Sequence, residues 1–202
     1  MRFTYPCCRR ARDLASRAVM VVRPLVALIL VVILSAPVGA AGVEWRMRRP
    51  TPPRDANLLR RDMLDAHNRA RGELGLAPLA WSPGLAVAAA RHARELARRG
   101  RLFHAEQPAG RAGQGENLFS GTRGGYAYDE MVRYWLAERR QFRNAPSPRF
   151  SRTGRWQDAA HYVQIVWRDT TEVGCAMEPG QAEDFLVCRY SPRGEVRGRR
   201  AY

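Results

Sequence analysis

A chain of 202 residues accommodates one domain, or at most two. Its net charge of +15 would ordinarily point to nucleic acid or an anionic surface. All 34 basic residues are arginine, however, and the absence of lysine reads as biased codon usage in a GC-rich genome; nucleic acid is excluded as a partner, and weak, salt-sensitive adhesion to anionic envelope polymers is the charge-based expectation.

Residues 1–41 do not pattern as part of a soluble fold. Arg2, Arg9, Arg10, Arg12, Arg17 and Arg23 form a basic lead, Leu25 to Leu34 is apolar without a charge, and small residues follow around Ala40 and Ala41. That layout is a secretory signal peptide. The alternative is a retained N-terminal membrane anchor, although a spanning helix needs ~20 apolar residues. Residues 42–56, rich in Arg and Pro, read as a linker. Residues 57–195 form one domain and 196–202 a basic tail. The expected location is extracellular or periplasmic, or membrane-anchored if the signal stays, with membrane contact only through that segment. A monomer is expected.

Cys7 and Cys8 leave with the signal, or serve as lipidation sites or stray thiols if it stays. Cys175 and Cys188 remain. An even pair in an exported domain reads as a disulfide. Their flanks read as two strands, and Glu178-Pro179-Gly180-Gln181 between them is a turn, so the pair cross-links a hairpin. A loop of this size stabilises by about 3 kcal/mol in the chain-entropy model.

In chain order, Leu58 to Arg71 has helical periodicity, with Asp55 or Asn57 as cap. Ser82 and Pro83 open a second helix that stops at Gly100. Residues 106–115 are a Gly/Pro/Gln loop, and Glu116 to Ser120 is short and extended. Asp129 to Phe142 is a third helix, and residues 144–157 are a polar loop. His161 to Trp167, β-branched at Val163, Ile165 and Val166, is predicted as a strand. Helices first and antiparallel strands last is the α+β pattern.

The four histidines are His67, His92, His104 and His161. His67 and His92 lie inside helices and read as surface or structural residues. His104 stands just before a loop, Glu116 follows a glycine that permits unusual backbone angles, Glu138 lies three residues after Trp135, and His161 opens an apolar stretch. Residue chemistry alone does not gather these four.

Seven ordered segments do. They are Ala66-His67-Asn68-Arg69-Ala70-Arg71, Leu79-Ala80-Trp81, Gly115-Glu116-Asn117-Leu118, Trp135-Leu136-Ala137-Glu138, His161 through Trp167, Gly174-Cys175-Ala176, and Val187 through Gly194. In this order they resemble the CAP superfamily, which unites cysteine-rich secretory proteins, antigen-five allergens and pathogenesis-related proteins and is also called the SCP domain. The likeness, to a bacterial-type single-domain secreted member, covers about Leu58 to Gly194. It implies a three-layer α–β–α sandwich with a small antiparallel sheet, and a cleft lined by His104, Glu116, Glu138 and His161. Two positions depart from the family pattern. Val163 stands where Thr is usual and, on a strand, would share a face with His161. Glu195 stands where Asn is usual.

Neutral imidazoles are good ligands for zinc or copper, so His104 and His161 are the candidate metal ligands, with the glutamates completing the shell or orienting the histidines. No cofactor is required; zinc or another divalent metal is the candidate. In a hydrolase, Glu116 or Glu138 would activate water and a histidine would protonate the leaving group. The chain offers no convincing nucleophile, since both cysteines of the domain are expected to be paired, and no Gly-x-Ser-x-Gly or His-Glu-x-x-His motif. The favoured expectation is a secreted, non-enzymatic binding or interaction module, whose partners by resemblance are sterols, fatty acids or a cell-surface component.

Overall fold

The computed structural model describes residues 50–108 and 113–202. The signal or anchor of residues 1–41, with Cys7 and Cys8, and most of the linker lie outside the described residues. The elements in chain order are α1 (Ala56–Gly72), β1 (Ala80–Trp81), α2 (Pro83–Arg99), β2 (Gly115–Thr122), α3 (Tyr128–Ala137), α4 (Ala160–Ile165), β3 (Glu172–Pro179) and β4 (Glu183–Ser191).

β4 decides the architecture. Seven consecutive residues, Asp184 to Tyr190, are buried, as a strand covered on both faces requires. Successive side chains point to opposite faces. Phe185 and Val187 pack with Leu118 and with Ala89, Ala93 and Leu96 of α2. Leu186, Cys188 and Tyr190 pack instead with Met63 of α1, Trp135 of α3, and Tyr162 and Ile165 of α4. One buried run thus feeds two cores, and the result is the α–β–α sandwich of an α+β domain. The sheet order is β1-β3-β4-β2. β2, β4 and β3 are antiparallel, and the two-residue β1 adds parallel to β3. Cys175 and Cys188 are direct cross-strand partners in the β3–β4 register and form a disulfide.

The stretch predicted as a strand from His161 is a helix. α4 is six residues long and every one of them is buried. Its β-branched residues are there to fill a core, not to pleat, because tertiary packing overrides weak local propensity. Both of its ends are satisfied by charged side chains. Glu138 Oε2 accepts from the backbone N–H groups of His161 and Tyr162 at 3.0 and 3.3 Å. The Arg71 guanidinium, 1 % exposed, donates to the carbonyls of Ile165 and Trp167 at 2.9 and 2.8 Å, of Thr170 at 3.0 Å and of Ala77 at 2.7 Å. Residues two apart on a helix do not share a face, so Val163 is not beside His161 in the way a strand would place it; it is fully buried in the larger core. The third helix also ends earlier than its periodicity suggests, at Ala137, and passes into a 3₁₀ turn at Glu138–Arg140.

The ends of the domain are tied in. Arg54 pairs with Asp184 at 2.8 Å and donates to the Tyr126 carbonyl at 2.9 Å. Ala201, in the basic tail, is buried, and its carbonyl accepts from the Arg168 amide at 2.7 Å.

α2 sits so close to β3 that a β-carbon at Gly174 would lie 2.3 Å from the Ala86 nitrogen and 2.5 Å from the Ser82 carbonyl oxygen. Both are backbone atoms and cannot swing aside. Gly174→Ala is therefore expected to destabilise the domain by about 3 kcal/mol, visible as a drop in the urea unfolding midpoint; an unchanged midpoint would contradict this packing.

Candidate functional site

β2 begins where the site begins. Gly115 lies against the Gln164 side chain, and a β-carbon there would come within 2.1 Å of Gln164 Oε1, so glycine is needed for β2 to pass α4. The next residue, Glu116, is directly opposite Arg189 of β4. Both share the face of Val187 and Leu118, the face that α2 covers. Asn117 points to the other face, where its amide donates to the His161 carbonyl and to Tyr190 Oη, both at 3.1 Å. Two neighbouring residues of one strand therefore serve the two halves of the site.

In the first half, Glu116 Oε1 accepts from His104 Nδ1 at 2.7 Å and from the Ala105 amide at 3.1 Å. Oε2 is 2.9 Å from Arg189 Nη2 and 3.7 Å from His92 Nε2. The Glu116 side chain is 5 % exposed and that of Arg189 6 %. A carboxylate buried this deeply costs several kcal/mol unless paired, and Arg189 is the pair. Burial pulls the Arg189 pKa down, and Glu116 opposes the shift. His92 donates to the Phe103 carbonyl at 2.8 Å; burial lowers its pKa against the pull of Glu116.

In the second half, Glu138 Oε1 accepts from His161 Nδ1 at 2.7 Å, while Oε2 holds the α4 amides. Trp135 stacks on the His161 ring with centroids 5.9 Å apart, and the Trp135 indole donates to the Leu118 carbonyl at 3.2 Å. His161 is 4 % exposed, and its Nε2 is buried without a hydrogen-bond partner.

A carboxylate only accepts, so each Nδ1 must carry a proton and the neutral tautomer presents a lone pair at Nε2. All four residues gathered by the sequence thus fall into two matched pairs, His104–Glu116 and His161–Glu138. His67 is structural, as expected: its Nδ1 donates to the Met63 carbonyl at 2.7 Å and its Nε2 accepts from Tyr190 Oη at 2.8 Å. Burial lowers its pKa to about 4. His92 and Arg189, by contrast, belong beside Glu116. The sequence does carry a sign of Arg189: it directly follows the apolar run Phe185 to Cys188, where a buried arginine calls for an anion.

Glu195, the departure from the family pattern, has a left-handed backbone (φ 58°). Burial pushes its carboxyl up to about 8; Arg193 works against the shift and Glu138 adds to it.

A family model described as the cysteine-rich secretory protein family, CAP, matches residues 64–190. The chain belongs to this family. It is 32 % identical over 142 residues to a pathogenesis-related protein of PR-1 type from Sambucus nigra, covering 70 % of this chain and 80 % of that one. It is 34 % identical over 143 residues to pathogenesis-related protein 1B of Nicotiana tabacum, covering 70 % and 79 %. Among solved structures, NaASP2 with Zn2+ shares the fold at a TM-score of 0.61 and 21 % identity, over 75 % of this chain and 89 % of that one. The venom allergen-like protein 4 of Schistosoma mansoni does so at 0.53 and 21 %, over 69 % and 92 %.

Two outcomes test the electrostatics. Arg189→Met strands the Glu116 carboxylate and is expected to cost about 3–5 kcal/mol in urea unfolding, with Glu116→Gln in the same chain restoring part of the loss. Glu195→Asn relieves two costs: asparagine tolerates φ 58° better, and no carboxyl need stay protonated. A folded-state pKa above the unfolded value of 4.5 means stability is lost as pH rises from about 4.5 through about 8. The variant should therefore be stabilised by at least ~1 kcal/mol, and more at pH 8 than at pH 5, in thermal melts. An equal gain at both values would remove the protonation argument.

Proposed function

We propose that this domain is a secreted, non-enzymatic binding module in which His104 and His161 hold a divalent metal, zinc foremost, through Nε2, and Glu116 and Glu138 orient them. The observation that supports this most directly is how the carboxylates are used. Each glutamate accepts from an imidazole Nδ1 and from backbone N–H, both on Oε1 in Glu116, whose Oε2 is ion-paired with Arg189, and on separate oxygens in Glu138. That is the arrangement of a carboxylate behind a metal-ligating histidine, which fixes tautomer and ring orientation. The buried, unpartnered Nε2 of His161 suits a ligand atom. Among the described residues no group of three or more His, Cys, Asp or Glu is arranged to hold a metal, so the ion would have two protein donors and exchangeable others. Bound there, zinc would act as a Lewis acid toward an incoming donor group. The Zn2+ of NaASP2 supports the same reading by analogy.

The alternative, hydrolysis with Glu116 or Glu138 as base, is less well served. Both carboxylates are engaged in positioning, and Cys175 and Cys188 are joined. Export agrees with the family's secretory description and with the disulfide. For the partner, a polar or surface component is favoured over a sterol or fatty acid. The groove of about 340 Å³ between α1 and α3 is lined by Asp62, Asp65, Arg69, Glu73, Arg133 and Arg139 around a few apolar residues.

Zinc titration by calorimetry on the full chain tests the metal claim. His104→Ala or His161→Ala is expected to abolish specific binding, and Glu138→Gln to weaken it about 10- to 100-fold. Binding unchanged in both histidine variants would overturn it.

A further inference from the structure

Two segments of the domain, residues 139–155 and 196–202, carry nine arginines and not one Asp or Glu. They are far apart in sequence and adjacent in space. The Ser147 amide donates to the Arg199 carbonyl at 2.8 Å, and the Gly198 amide donates back to the Ser147 carbonyl at 2.9 Å. Asn144 donates to the Tyr202 carbonyl, and Arg200 to the Asn144 carbonyl. The Arg168 amide, bonded to Ala201, brings one more arginine to the edge. Arg143, Arg149, Arg168, Arg197, Arg199 and Arg200 are all exposed on this face.

Codon bias accounts for arginine in place of lysine; it does not concentrate arginine away from acids. The exposed side of α2 makes the contrast. It too is rich in arginine, yet Glu95 sits within it and pairs with Arg98 and Arg99. Of the nine arginines in the two segments, Arg139, Arg155 and Arg199 pair with Glu73, Asp158 and Asp169. Arg143 and Arg200 instead donate to the Arg149 and Asn144 carbonyls, which anchors the guanidinium groups without neutralising them.

We propose that this face is a docking surface for a linear polyanion bearing carboxylate, sulfate or phosphate groups. Guanidinium forks match such oxygens in pairs, and closely spaced fixed charges gain from releasing the counterions of a charged chain. A polymer is favoured over a bilayer because Val196 is the one large hydrophobic residue among the described residues that these two segments expose, too little to insert. The surface is independent of the His–Glu cleft, so either reading can fail alone.

The test uses the full chain and heparin as probe, measured by calorimetry from 50 mM to 300 mM salt. Arg149→Gln/Arg168→Gln/Arg197→Gln is compared with Arg60→Gln/Arg94→Gln/Arg98→Gln. Each triple removes three charges, and the N-terminal arginines are common to both. The tail-face triple is expected to weaken binding about tenfold or more and to make the salt slope shallower by about 3, with little change in the other. Amide exchange on the unaltered chain should show heparin protecting residues 143–149 and 196–200. An equal loss in both triples, no binding at 150 mM salt, protection elsewhere, or tighter binding to phosphatidylglycerol vesicles than to heparin would each overturn the proposal.

Discussion

The structure turns on a six-residue helix that could not stand alone. An isolated helix of that length is far below what is stable in water. α4 persists because a carboxylate sits on its first amides and a guanidinium on its last carbonyls: Glu138 at one end and Arg71 at the other. Both placements agree with the helix dipole, negative charge at the N-terminus and positive at the C-terminus. Arg71 does more than cap. Its four hydrogen bonds join the end of α1, the chain leading to β1, and the turn leading to β3. Removing it would take a donor away from four carbonyls at once, those of Ala77, Ile165, Trp167 and Thr170.

The same economy explains the site. Glu138 holds α4 with one oxygen and the His161 ring with the other, so the group that builds the helix also orients the histidine. Glu116 reaches an equivalent result by other means. It lies on a strand and is ion-paired with Arg189, its partner across the ladder. One carboxylate is balanced by a helix terminus and the other by a cation. What the two pairs share is the outcome, an imidazole whose Nδ1 is committed to a carboxylate. In both pairs the carboxylate fixes the tautomer and orientation of the ring.

Much of this was legible in the sequence because it is local. The caps of α1 and α2, the turn between β3 and β4, and the cysteine pairing all follow from short-range rules, and the four site residues follow from motifs in family order. The α4 stretch was not legible. Val163, Ile165 and Val166 suggest a strand, and the side chains that impose a helix, Arg71 and Glu138, lie 89 and 22 residues before Ala160 in the chain. His92 was set aside for a similar reason: nothing near it in sequence announces Glu116. Arg189 sits between, since a charge directly after an apolar run signals a buried partner without naming it. The basic tail looked like an appendage because composition cannot show Ala201 in the core or the ladder of bonds to residues 144–147.

The two His–Glu pairs are fixed by elements from different layers. His104 follows α2, and Glu116 and Arg189 belong to the sheet; Glu138 and His161 belong to the opposite helical layer. Asn117, with amide bonds to the His161 carbonyl and to Tyr190, ties the strand of Glu116 directly to the backbone of His161. Tyr190 in turn hydrogen-bonds His67 of α1, so the link from sheet to helices runs through a chain of buried, fully paired polar groups. Such a chain transmits position well only while each member is satisfied. His67 is its vulnerable member: it is neutral in the fold with a pKa near 4, so below about 6.5 the unfolded state takes up a proton that the native state refuses. The polar chain that joins sheet to helices is thus held by the same core interactions that make the domain stable, and acid weakens both together.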